Sequence, residues 1–465
     1  LPAWPLPLAA PSSAQLPPQP LQLQPTTRVD NLSLATESGG DAGQKLLEGQ
    51  QLALADTVAS LGLAPGSGRV RSVADLQQRL GRIEQQRLAS LAPYRPAILQ
   101  LGLSELPGDQ LQLTGILLTA RGEPRSFSRA LPAERLRSTI RAFQRQVIRQ
   151  ETLDPAATDS PAAQLSAWLL EPLAETLRAS GANALLLAVD RGLQAIPYGA
   201  LPLGEQFLVE RYALSVSPSL GLLDLETDRG GGGGVLLAAG ASLFGQSLQP
   251  LPMVPQELGA LAAEQSAAVL LDDQFTVEAL RQRAAEERFR QLHIATHADF
   301  QPGQEDAARL FTSRESISLK ALRQSLQQRA PDRPLDLITL SACHTALGDE
   351  QSELGFVGTA LQAGARSAIG TLWEVEDAAT AAFFIQFYRY QRSGLGKDQA
   401  LQATARAFRS GSVRLAGGAL VGPRVTQAGE AVLLNVESAE DRRRLSEGLR
   451  HPHFWAGMVL TGGPW

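Results

Sequence analysis

From Asn183 onward the chain alternates short apolar stretches with amphipathic ones, and this rhythm constrains the fold more than any other feature. The apolar stretches are 184–189 (ALLLAV), 235–239 (VLLAA), 267–272 (AAVLLD), 290–296 (RQLHIAT), 335–342 (LDLITLSA), 366–373 (RSAIGTLW) and 455–461 (WAGMVLT). Most are continuous runs rather than in-out alternations, as expected of strands covered on both faces. Residues near 255–265, 276–287, 318–329, 354–364, 377–391, 397–410 and 438–449 carry apolar side chains at three- and four-residue spacing, as amphipathic helices do. Strands and helices in alternation predict an α/β fold with a mostly parallel sheet between two helical layers. Such a sheet places its ligand site at the carboxyl ends of its strands.

Upstream, residues 95–103 and 111–120 read as a hairpin closed by Pro107-Gly108-Asp109. Helices are expected over 132–150 and 163–180, the second split by Pro172. Residues 45–94 carry two amphipathic helical patterns (LLEGQQLALADTVASLGL and VADLQQRLGRIEQQRLASL). Residues 1–44, rich in Pro and Gln and then polar, read as a disordered segment. The expected organisation is that segment, the helical segment 45–94, and one domain over 95–465, with hairpin and helices at 95–180 and its core from about 183.

Composition removes several function classes. The 465 residues carry a net charge of −5 with both signs interspersed, unlike the basic footprint of a nucleic-acid binder. No apolar run approaches the roughly 18 residues a membrane helix needs. The uncharged start lacks the basic region of a signal peptide, so both a cytoplasmic location and export after signal removal stay open. The glycine run Gly230–Gly234 precedes a strand and lacks Lys-Ser/Thr, so it reads as a linker, not a phosphate loop. No GxSxG elbow stands at a strand-to-helix turn. A single cysteine excludes an intrachain disulfide and a multi-cysteine metal cluster. No cofactor is called for.

A lone cysteine is ordinarily a small buried hydrophobe. Cys343 departs from that setting, because it follows the apolar stretch 335–342 directly. His297 follows the stretch 290–296 in the same way, 46 residues earlier, and one helix-length segment separates the two strands. Both side chains are therefore expected at one edge of the sheet. A thiol with an ordinary pKa near 8.5 needs a neighbouring imidazole to become a nucleophile at neutral pH. The backbone amides of Cys343 and Ala298, where strands turn into loops, are the candidate oxyanion donors.

His293-Ile-Ala-Thr-His297, Leu340-Ser-Ala-Cys-His-Thr-Ala-Leu-Gly348, Ala363-Gly-Ala365, Thr371-Leu-Trp-Glu-Val-Glu-Asp377 and His451-Pro-His-Phe-Trp455 occur in that order, with Ile196-Pro-Tyr-Gly-Ala-Leu201 upstream. Together they resemble the CHAT domain, a branch of the caspase-like cysteine peptidases, over roughly 95–465. The resemblance implies a caspase–haemoglobinase fold, His297 as general acid/base, Cys343 as nucleophile, and a protein or peptide substrate. It also implies a role in bacterial signalling, with a regulatory protein partner. Related peptidases that cut after Arg or Lys keep an acidic residue near Asp377, which here would form a pocket with Glu374 and Trp373. Asp377 is equally well placed to cap the helix that follows it. One departure is Ala298, where many relatives carry glycine, and its methyl narrows the approach to the amide. Two readings follow: a cysteine endopeptidase, and an interaction module that keeps the fold without turnover.

Overall fold

The computed structural model describes residues 72–87, 93–190, 192–218, 234–245, 248–284, 288–299, 309–327, 335–341, 363–425 and 427–465, with isolated positions at 23, 225, 286, 358, 360 and 361. The expected disordered segment 1–44 and most of the helical segment 45–94 thus lie outside the described residues; within them, 73–87 is helical.

One sheet of eleven strands organises the described chain. In chain order these are β1 (Pro96–Leu106), β2 (Gln110–Leu118), β3 (Arg125–Pro132), β4 (Ala184–Val189), β5 (Ala213–Ser217), β6 (Val235–Gly240), β7 (Ala267–Leu271), β8 (Phe289–Ala295), β9 (Leu337–Ser341), β10 (Ser367–Thr371) and β11 (Met458–Gly462). Their spatial order is β3-β2-β1-β4-β5-β11-β10-β9-β8-β6-β7. β1, β4, β5 and β11 run parallel, as do β10, β9, β8, β6 and β7. The two blocks meet where β10 and β11 pair antiparallel. The seam is tight at Gly462, which has φ +96°, and a Cβ there would run into the Arg366 carbonyl oxygen.

Helices α1 (Val73–Arg87), α2 (Ala133–Ile148), α3 (Pro161–Leu169), α4 (Val254–Glu264), α5 (Val277–Ala284), α6 (Leu319–Leu326), α7 (Asp377–Arg392), α8 (Lys397–Ser410) and α9 (Ala439–Ser446) cover it. The period-2 geometry of strands divides the core. Leu236 and Ala238 of β6 join the cluster under α4, α7 and α8, while Leu237 and Ala239 join the cluster under α5 and α6. α1 closes a third cluster over Ile98, Leu186 and Ala188. α4 buries Val254, Leu258 and Leu261 on one stripe, each worth up to about 1.5–3 kcal/mol. Gly240 lets it approach: a Cβ there would lie 2.5 Å from the Ala295 carbonyl oxygen and 2.8 Å from Val254.

The predicted strands and helices recur within a few residues, except that most of the helix expected over 354–364 lies outside the described residues, and Pro172 splits 161–179 as expected. Three features differ from the reading above. β3, left unassigned by the reading above, is an edge strand with Leu131 its one buried residue, so it carries no in-out pattern. Residues 208–211 form a helical turn ahead of β5. The segment after α8 folds into a small antiparallel sheet of Arg414–Ala416, Ala419–Pro423 and Glu430–Asn435. Pro96–Leu101 of β1 pair with β4, so the hairpin extends the same sheet. Among the described residues, no helix is long and apolar enough to cross a membrane.

Candidate active site

β8 and β9 are parallel neighbours joined through α6, and their register is explicit. His293 lies beside Thr339 and Ala295 beside Ser341, and the Thr296 N–H donates to the Ser341 carbonyl at 3.3 Å. Ala295 and Ser341 are the last paired residues. His297 stands two residues beyond the first, and in sequence Cys343 stands two beyond the second. Cys343 itself lies outside the described residues, as do His344, Asp349 and Glu350.

His297 is half-buried and held from three sides. Its Nε2 is 2.8 Å from the Gln249 carbonyl oxygen, and its ring packs on Phe244 with centroids 4.7 Å apart. Its own carbonyl accepts from the Phe311 N–H at 3.0 Å, and the Thr296 hydroxyl donates to the Phe311 carbonyl. A carbonyl only accepts, so Nε2 carries the hydrogen, and in the neutral tautomer Nδ1 holds the lone pair. The residue that fixes this tautomer contributes main chain, so no side-chain motif announces it.

Ala298 and Asp299 pair antiparallel with Leu310 and Arg309. Antiparallel ladders alternate bonded and non-bonded pairs. His297 and Phe311 form a bonded pair, so the Ala298 N–H turns away from that neighbour.

The three pocket candidates sit at different depths after β10. Trp373 is 1% exposed, its indole N–H donates to the His453 carbonyl at 2.9 Å, and its ring stacks on His453. Trp373 therefore stands behind the surface, and Glu374 is exposed. Asp377 opens α7 but does not cap it. Its Oδ2 accepts from the N–H of Met253, the residue just before α4, at 2.9 Å. Burial pushes the Asp377 carboxyl up to about 7, against the Met253 N–H that lowers it, with Glu257, Asp441 and Glu376 adding repulsion. Because the folded pKa lies above the ordinary 3.8, folding takes up a proton, and stability is lost as pH rises from about 4 through 7. Asp377→Asn is expected to be more stable than the parent at pH 8 by up to about 4 kcal/mol, the gain vanishing near pH 4. Urea unfolding at the two pH values measures it, and equal gains at both would refute the assignment.

Behind the site His293, a structural residue of the sheet, pairs with Glu257, which sequence reasoning did not single out. His293 Nε2 is 3.0 Å from Glu257 Oε1, with the two side chains 0% and 1% exposed. Ser341 Oγ reaches the other carboxylate oxygen at 3.5 Å. Phe384 and Tyr388 of α7 enclose the imidazole edge-on, and the Tyr388 hydroxyl donates to Thr339 Oγ1 at 3.0 Å. A signal was present: Glu257 occupies a core position of the 254/257/258/261 stripe, where a charge is rare unless paired. Among the described residues, no group of three or more His, Cys, Asp and Glu is arranged to hold a metal.

Comparison with known proteins places this geometry in a family. No curated protein matches the chain by sequence. Among solved structures, a chain of the Saccharomyces cerevisiae separase–securin complex aligns over 91% of this chain at 11% identity and a TM-score of 0.46. The present chain spans 34% of that one. Caspase-1 from Spodoptera frugiperda aligns over 41% of this chain and 84% of its own, at 11% identity and a TM-score of 0.29. The sequence model of the CHAT domain matches residues 159–463, from just before α3 to the end of β11. With most of its length matched, the chain belongs to the CHAT-domain family.

Proposed function

We propose that the chain is a cysteine endopeptidase with His297 and Cys343 as its dyad. The observation that supports this most directly is the β8/β9 register, with the two residues each two positions past a paired Ala295 and Ser341. With Nε2–H committed to Gln249, Nδ1 takes the thiol proton. The thiolate attacks the scissile carbonyl carbon, and the oxyanion meets the N–H groups of Cys343 and Ala298, each donor worth about 3 kcal/mol. The imidazolium then protonates the departing amine, leaving a thioester on Cys343. Water, deprotonated by His297, hydrolyses that ester and restores the thiol.

Glu374, and Asp377 where a basic side chain or a pH above about 7 ionises it, supply negative charge for a basic side chain at the cleaved position, and Trp373 backs them from inside. The substrate is a protein or peptide, with a regulatory protein partner controlling access. The second reading, an interaction module without turnover, is favoured by one observation: the Ala298 methyl stands beside the amide that would meet the oxyanion.

A panel of fluorogenic peptides ending in Arg, Lys or Asp, with and without prior alkylation and with added calcium, separates the two. Cleavage after Arg and Lys that alkylation abolishes is the expected result. A folded sample inert toward the whole panel supports the interaction module instead. Asp377→Ala is expected to remove the basic preference, and an unchanged preference would overturn the pocket.

A further inference from the structure

The connection between β6 and α4 ends in Gln249-Pro250-Leu251-Pro252-Met253. At its first residue, the Gln249 carbonyl oxygen stands 2.8 Å from His297 Nε2. At its last, the Met253 N–H donates to Asp377 Oδ2 at 2.9 Å. Between them, two prolines fix φ and remove two donors, so the segment behaves as a short strut. Leu251 ties its middle back through an N–H bond of 2.9 Å to the Ser242 carbonyl. One turn into α4, Glu257 bonds His293 on the same strand that leads to His297. Gln249 is itself exposed. Its position therefore depends on where the strut is anchored.

We propose that Asp377 is a positioning residue for His297: by accepting the Met253 N–H it pins the strut whose far end presents the Gln249 carbonyl to the imidazole. This rests on the peptidase reading and deepens it. One carboxylate oxygen of Asp377 is committed to the strut, which leaves the other for the pocket. Released from Met253, the strut swings, the Nε2–H bond loosens, and the ring samples both tautomers. Nδ1 is then no longer the standing acceptor for the thiol. The positioning duty needs a hydrogen-bond acceptor at residue 377 and no charge, whereas the pocket duty needs the charge.

Cys343 is the chain's one cysteine, so the pH profile of iodoacetamide alkylation reads a single thiol without any turnover. Selective labelling of the five histidines reads the His297 ring nitrogens directly by NMR. The parent and Asp377→Asn are expected to alkylate with a thiol pKa below the ordinary 8.5 and to keep the Nε2–H tautomer. Asp377→Ala is expected to shift the profile up by about one unit, with alkylation near neutral pH roughly tenfold slower, and to give mixed tautomers. The paired change Pro250→Gly with Pro252→Gly loosens an exposed strut at about 1 kcal/mol per site and should reproduce Asp377→Ala, which keeps the test alive if the alanine variant fails to fold. Parent-like profiles and tautomers in both altered proteins overturn the proposal. If His297→Ala leaves the parent profile unchanged, the dyad reading fails, and the ring nitrogens alone still decide whether Asp377 positions His297.

Discussion

Replacing His297 by alanine is expected to lower peptide cleavage by roughly a hundred- to ten-thousandfold while leaving the fold in place. The imidazole has two tasks in the proposed cycle, taking the thiol proton and returning it to the leaving amine, and both disappear with the ring. The structural cost is small, because the side chain is half-buried and gives up one hydrogen bond to Gln249 and one face against Phe244. The main-chain bond from Phe311 to the His297 carbonyl survives the change. The measurement is kcat/KM on the best peptide of the panel beside a thermal melt. A melt within a few degrees of the parent with cleavage lost supports the dyad, whereas cleavage retained within tenfold sinks it. Cys343→Ala should match it in loss of cleavage.

The second large effect concerns stability. Glu257→Ala strands His293 in a closed apolar shell of Phe384 and Tyr388, with its Nε2–H unpaired. Breaking one side of a buried pair costs about 3–5 kcal/mol, a large share of the 5–15 kcal/mol that typically holds a domain together. Removing both polar groups is a different experiment. Glu257→Leu combined with His293→Phe removes both members of the close pair and leaves only the Ser341 hydroxyl without its long 3.5 Å contact, so the double variant should recover most of the loss. Urea midpoints for the two single variants and the double variant give the coupling. If Glu257→Ala costs under about 1 kcal/mol, the pair contributes little and α4 is held by its apolar stripe alone.

The parts of this molecule legible from residues alone are those where burial imposes a pattern. Continuous apolar runs revealed β4, β6, β8, β9 and β10, because strands covered on both faces cannot alternate. β3 escaped because an edge strand with one buried residue has no such imprint. Strand direction escaped too: the apolar run of β11 is indifferent to whether it pairs parallel or antiparallel, and only the structure sets it against β10. At the site, His297 was legible because a reactive side chain follows a strand. The Gln249 carbonyl and the Met253 N–H were not, since every residue carries the same main-chain groups and only the fold selects which ones act. Asp377 was singled out for its charge, yet the bond it makes uses it as an acceptor.

The antiparallel seam also bears on how such a chain reaches its native state. β11 is built from residues 458–462, yet it occupies the sixth of eleven places in the sheet, between β5 and β10. During synthesis the residues of both flanking strands emerge well before it, and each waits with an unpaired row of N–H and C=O groups. Until β11 arrives, the nascent protein is two half-sheets with sticky inner margins, the state most open to mispairing and to capture by chaperones. Insertion of this keystone is the step that joins the halves, so β8 and β9 come to rest in a completed sheet only when the chain has been made through residue 462.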